Sequence, residues 1–223
     1  MTTSIYRSVG QINEAMTRVY THMFLAVLTS MVVASLVASS PALMAVLFGT
    51  ALKWVVLLAP LGAIFLLIPF LSSNPSKTGA TVALHSFAGL MALSMSVVFA
   101  VYTSLSIVSA FMGAAILFGV MSLYGYFTKQ NLDSIGKYLF IALIAIILVS
   151  LVNLFIGSTM IQMIVSAISV IVFMGLTAYD TQTIREMVSV ETSPGVEVAG
   201  ALTLYLNFIN ILMSLLNLFG DKE

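Results

Sequence analysis

Cysteine is absent from this chain, and charge is scarce. The first absence excludes disulfides, thiolate metal sites and cysteine nucleophiles. The second matters more, because only 7% of residues are charged, whereas a soluble domain carries roughly a quarter. Eight basic and eight acidic side chains cannot cover the surface of a water-soluble protein of 223 residues. They also cancel, so no net charge favours nucleic acid or an acidic substrate. No two glycines stand four residues apart, which excludes a GxxxG helix pair. Neither Gly-x-Ser-x-Gly nor His-Glu-x-x-His occurs, so serine and zinc hydrolases lack their nucleophile or ligand set. No internal repeat is evident, and no polar stretch is long enough to fold as a second domain.

What the chain does have is apolar length. Residues 19–38, 52–71, 80–102, 107–127, 138–155, 161–180 and 200–219 form runs close to the ~20 residues that a membrane helix needs. Turn chemistry separates several of them, at Ser39-Ser40-Pro41, at 72–76 and at 129–133. The runs do not alternate in polarity as barrel strands would. The expected fold is an all-α membrane protein of seven transmembrane helices in one integral domain, 1–223. A cytoplasmic tail is expected at 1–18 and a cytoplasmic loop at 181–199. The first run resembles a signal peptide after Arg7 and Arg18, but it is long for one and six spans follow, so an uncleaved helix is expected. With seven spans, Arg7, Arg18, Lys77, Lys129, Lys137 and Arg185 fall on one side, and only Lys53 and Lys222 on the other. That asymmetry places the N-terminus in the cytoplasm and the C-terminus outside.

Polar groups in hydrocarbon mark the places to look for function. Gly200, Thr203, Asn207, Asn210, Ser214 and Asn217 recur at spacings of three and four, along one face of the last span. That face must meet other helices or a water-containing cavity. Interhelical hydrogen bonding and a permeation path both fit it. Asp180 is the one acid within or at the edge of a span; it can serve a site or simply reach the interface. Arg185, five residues on, points elsewhere on the helix. His85 lies about one turn inside the third span, and can be a packing residue or a sensor. By depth alone His85, Asp180 and Asn207 can meet. Asn153 and Gln162 are expected to bond neighbouring helices, and Glu14, Glu186, Glu191 and Glu197 to be solvated loop charges.

The segments Gly175-Leu-Thr-Ala-Tyr-Asp-Thr-Gln182 and Gly200-Ala-Leu-Thr-Leu-Tyr-Leu-Asn-Phe-Ile-Asn210 resemble the signature of the Bax inhibitor-1 (transmembrane Bax inhibitor motif) family. Met121-Ser-Leu-Tyr-Gly-Tyr-Phe-Thr-Lys129 and Val101-Tyr-Thr-Ser104 resemble its bacterial inner-membrane branch. The likeness covers nearly the whole chain. It implies six helices surrounding a central seventh, a pH-sensitive calcium leak in a bacterial inner membrane, and no tightly bound cofactor. The bacterial branch also includes a modulator of a membrane-anchored protease, so a regulator that associates with such a protease is the alternative. The lipid bilayer is the partner common to both readings, and nucleic acid belongs to neither. Oligomeric state is not readable.

The family's pH sensor is a pair of aspartates, matched here by Asp180 and by Asn207, so the second acid is replaced by an amide. The arginine latch of the second helix also has no counterpart, since 52–71 offers only Lys53 at its entrance. Two carboxylates in contact share a proton, whereas an amide beside a carboxylate can donate a hydrogen bond to it. Any pH gate is therefore expected to respond at lower pH than in relatives with both acids, although burial of the carboxylate works in the opposite sense. One carboxylate binds calcium weakly and transiently, because the ion wants six to eight oxygens. Tyr179-Asp180 also resembles half of an intramembrane aspartyl protease, but the second aspartate that such chemistry requires is again Asn207. No enzymatic activity is expected.

Overall fold

A computed structural model describes residues 7–222. Eight helices are found among them: α1 Val9–Ala38, α2 Pro41–Phe48, α3 Leu52–Ser72, α4 Lys77–Val101, α5 Ser104–Phe127, α6 Asp133–Ile156, α7 Thr159–Val190 and α8 Pro194–Phe219. All but α2 are long and apolar enough to cross a membrane, and the protein is an all-α membrane protein with seven candidate spans. The seventh span of the sequence is α8 and the sixth is α7.

The helices outrun the apolar stretches at both ends, because hydrophobicity sets the membrane core while capping sets the helix. Ser8 caps α1 in a reciprocal capping box with Gln11. The expected tail at 1–18 is therefore helical from Val9 onward, and its residues 1–6 lie outside the described part. The expected loop at 181–199 is mostly helix as well, with α7 continuing to Val190 and α8 starting at Pro194. Helix α2 was not expected. Its Ser40-Pro41 start reads as a turn, yet Ser40 is an N-cap and Pro41 sits at the first turn, where a missing N–H costs nothing.

Two compact units are distinguished among the described residues, 7–101 with 186–205, and 102–185 with 206–222. In the first, α1 packs chiefly on α4, and α3 lies against α4. The contact faces are built from small residues: Ala15, Ala26, Ser30 and Ala34 on α1, with Ala80, Ala88, Ala92 and Ser96 on α4, are all fully buried. Small side chains let helix backbones approach without glycine. Ser30 uses that closeness to donate to the Ala88 carbonyl at 2.9 Å and to share a 2.7 Å hydrogen bond with the Tyr205 hydroxyl.

In the second unit, α5 and α7 come together at Gly125, where a Cβ would collide with the backbone of Ala178. The α6–α7 turn is closed by Gly157 in the left-handed region (φ 69°), which suits glycine. Asn153 bonds both ways with the backbone of Ser158 in this turn, rather than reaching another helix as expected. Helix α6 presents apolar side chains over its whole surface, and none of its most hydrophobic window is buried. Helix α8 is the opposite, with 72% of its window buried against at most 39% in any other span.

Candidate functional site

Two rows of polar residues run along α8, each with a repeat of seven. Gly200, Asn207 and Ser214 form the buried row, while Thr203 and Asn210 are half-buried and Asn217 is exposed. Seven residues are close to two helical turns, so each row stays on its own strip of the surface. Gly200 and Thr203 belong to the first unit, and the rest to the second.

The second unit brings Asp180 of α7 against Asn207 of α8. Asn207 Nδ2 donates to Asp180 Oδ2 at 2.6 Å, and Asn207 is only 4% exposed. Packing fixes this pairing from both helices. On α8 the next residue, Phe208, is gripped edge-on by Phe111 and Phe118 of α5, at centroid distances of 5.4 and 5.8 Å. One residue is 100° of helix rotation, so seating the ring also sets the direction of the amide. On α7, the buried Thr181 shares a hydrogen bond with Ser122 of α5 at 3.1 Å, one turn from the Gly125–Ala178 approach. Asp180 is thus held between positions that cannot easily rotate. Arg185 is engaged elsewhere, its guanidinium 4.9 Å from the Tyr126 ring centroid.

The remaining stripe residues divide by what they bond. Thr203 and Asn210 turn back on their own helix, to the carbonyls of Ala199 and Leu206. Asn217 accepts from Tyr102 at 3.1 Å and from Gln162 of α7 at 3.2 Å, so Gln162 does bond a neighbouring helix. Ser214 is buried, one turn after Asn210. From Asp180 to Asn217 the second unit therefore carries a run of oxygen-bearing side chains at successive turns of α8.

His85 lies in the first unit, where its Nδ1 shares a 2.9 Å hydrogen bond with Thr29 of α1. Glu197 corrects an expectation. It is no solvated loop charge: only 7% exposed, it lies in the first turn of α8 and receives Arg18 Nε and Nη2, both at 2.7 Å, with Arg7 Nη2 at 3.4 Å. The row beginning at Gly200 extends three residues back to Glu197, which is the sign that the acid points inward. Glu14, Glu186 and Glu191 are exposed as expected.

Comparison with known proteins agrees with these motifs. The family model described as "Inhibitor of apoptosis-promoting Bax1" matches residues 12–223. The inner membrane protein YbhL of Escherichia coli is 37% identical over 226 residues, covering 99% of this chain and 97% of the relative. The uncharacterized protein RP147 of Rickettsia prowazekii is 36% identical over 93% of this chain and 89% of its own length. An uncharacterized membrane protein of Streptococcus pyogenes is 37% identical over 71% of this chain and 72% of its own.

Proposed function

The chain belongs to the Bax inhibitor-1 family, and from that premise we propose that it is a calcium-permeable leak channel of a bacterial inner membrane. The ion path runs in the second unit from Asp180 along Asn207, Asn210, Ser214 and Asn217. The N-terminus faces the cytoplasm, as the distribution of Lys and Arg favours.

The observation that carries this reading is the Asp180–Asn207 contact. A carboxylate inside a membrane bundle is expensive, and such groups are kept where ions or protons pass. Calcium is a hard cation that exchanges its water for oxygens. Here one carboxylate offers charge, and amide and hydroxyl oxygens follow it at successive turns. No three or more His, Asp or Glu side chains gather into a metal site among the described residues, so the remaining ligands would be amides, hydroxyls, carbonyls and water. Such a set binds briefly, and conduction requires sites that release what they bind. The amide at 207 removes the like-charge term that two acids would share, which favours a pH response at lower pH than in relatives with both.

Calcium entry into proteoliposomes made from the purified chain, followed with a trapped indicator, tests the proposal. Flux is expected from the unaltered protein and a loss of about tenfold or more in Asp180→Asn, because the charged ligand is gone. Absence of flux from the unaltered protein would sink the channel reading and leave that of a regulator, for which co-purification with a membrane-anchored protease is the assay.

A further inference from the structure

The first unit contains a cleft of about 200 Å³ where α1 meets the leading ends of α4 and α8. Arg7, Arg18, His22, Lys77, Pro194 and Glu197 line it. Three cations face one carboxylate there, and that carboxylate is already committed: Arg18 takes both oxygens at 2.7 Å and Arg7 adds a longer contact. Arg7 is the unusual member. Its side chain is nine-tenths buried, yet Nη1 has no hydrogen-bond partner among the described residues. His22 Nδ1, on the same cleft, is also buried without a hydrogen-bond partner among the described residues. A buried guanidinium donor left unpaired costs considerably more than an exposed one.

The geometry points to a phosphoryl-binding site in this cleft, with Arg7 Nη1, His22 and Lys77 as its donors. Two positive charges remain after Glu197 is counted, matching the one to two negative charges of a phosphoryl group. Guanidinium presents its N–H groups in a planar fork that fits phosphate oxygens, and a lysine ammonium adds a mobile point charge. Lys77 and Pro194 are the first residues of α4 and α8, so the positive ends of two long helices open on the same space. Carboxylate ligands would satisfy the charge less fully, because they carry a single negative charge and two oxygens rather than three. The phosphoryl group can arrive from water as free phosphate or from the bilayer as a lipid headgroup; the site reads the same chemistry in either.

The test uses the full chain in phosphatidylcholine nanodiscs, titrated with inorganic phosphate by calorimetry, alongside Arg7→Gln and Lys77→Gln. Saturable phosphate binding is expected, weakened about tenfold in each variant. Lys77 is exposed, so its variant carries the comparison even where loss of Arg7 disturbs folding. The same samples with phosphatidylglycerol added separate the sources. Retention of that lipid in native mass spectra, lost in both variants and competing with phosphate, identifies a headgroup; phosphate binding that ignores the lipid identifies a soluble ligand. Binding of neither probe overturns the inference, as does binding that both variants leave unchanged.

Discussion

Two acids of this protein, Glu197 buried and Asp180 partly so, sit in opposite circumstances. Glu197, in the first unit, has both oxygens bound by the Arg18 fork and a second guanidinium close behind. Asp180, in the second, meets one neutral amide. Both are carboxylates on largely apolar helices, but only one has its charge cancelled. A cancelled charge holds helices together and is poor at anything else. An acid that meets a neutral amide keeps its field, and a cation entering the site gains from it.

Glu197→Gln is the strongest way to break this contrast. It leaves Arg7 largely buried with its ion-pair partner gone, and Arg18, partly exposed, with only the weaker attraction of Glu14. A cost of about 3 kcal/mol is expected, the low end for a broken buried pair because Arg18 keeps some water. Unfolding in detergent against increasing SDS measures it. A change under about 1 kcal/mol would place Glu197 among weak surface pairs. Next comes Gly125→Ala, which probes the scaffold of Asp180 rather than the acid. The new methyl meets the Ala178 backbone, which cannot yield as a side chain would. Forcing α5 from α7 is expected to cost about 1–3 kcal/mol and to lower calcium flux, since Thr181 and its neighbour Asp180 move with α7. An unchanged flux would show that the Gly125 approach does not position the acid.

How far these features were legible in the sequence depends on whether one helix suffices to define them. The polar stripe needed only the spacing from Gly200 to Asn217, and the lone acid at 180 only its surroundings. Seven spans followed from apolar length. Helix ends were misjudged because residues such as Asn13, Gln182 and Arg185 lie beyond the apolar stretch yet continue the helix. The pairing of Glu197 with Arg18 was out of reach, since 179 residues separate them and nothing local fixes how α1 approaches α8. Helical periodicity reports a face; it does not report what that face meets.

Asn207→Asp sharpens the comparison from the other side by giving Asp180 a like-charged neighbour. Two carboxylates in contact share one proton. The flux–pH curve is expected to move its midpoint upward by about one unit, equivalent to about 1.4 kcal/mol of added repulsion. Superimposable curves for the two proteins would mean that the 207 position does not feel the gate.

The smallest expected stability change belongs to Asp180→Asn, and it is the most telling beside Glu197→Gln, because each replaces a carboxylate by its amide. At 180 the substitution is isosteric and keeps a side-chain oxygen facing the Asn207 amide. A charge-assisted hydrogen bond becomes a neutral one, which costs up to about 1 kcal/mol. Removing a charge from a buried position repays part of that, so a net change within about 0.5 kcal/mol is expected in the same SDS unfolding assay. Glu197→Gln should exceed it several-fold, while Asp180→Asn alone of the two lowers flux by about tenfold or more. Equal destabilisation by the two would make Asp180 a second structural acid. The loss of flux in its variant would then report a damaged bundle rather than a missing ligand.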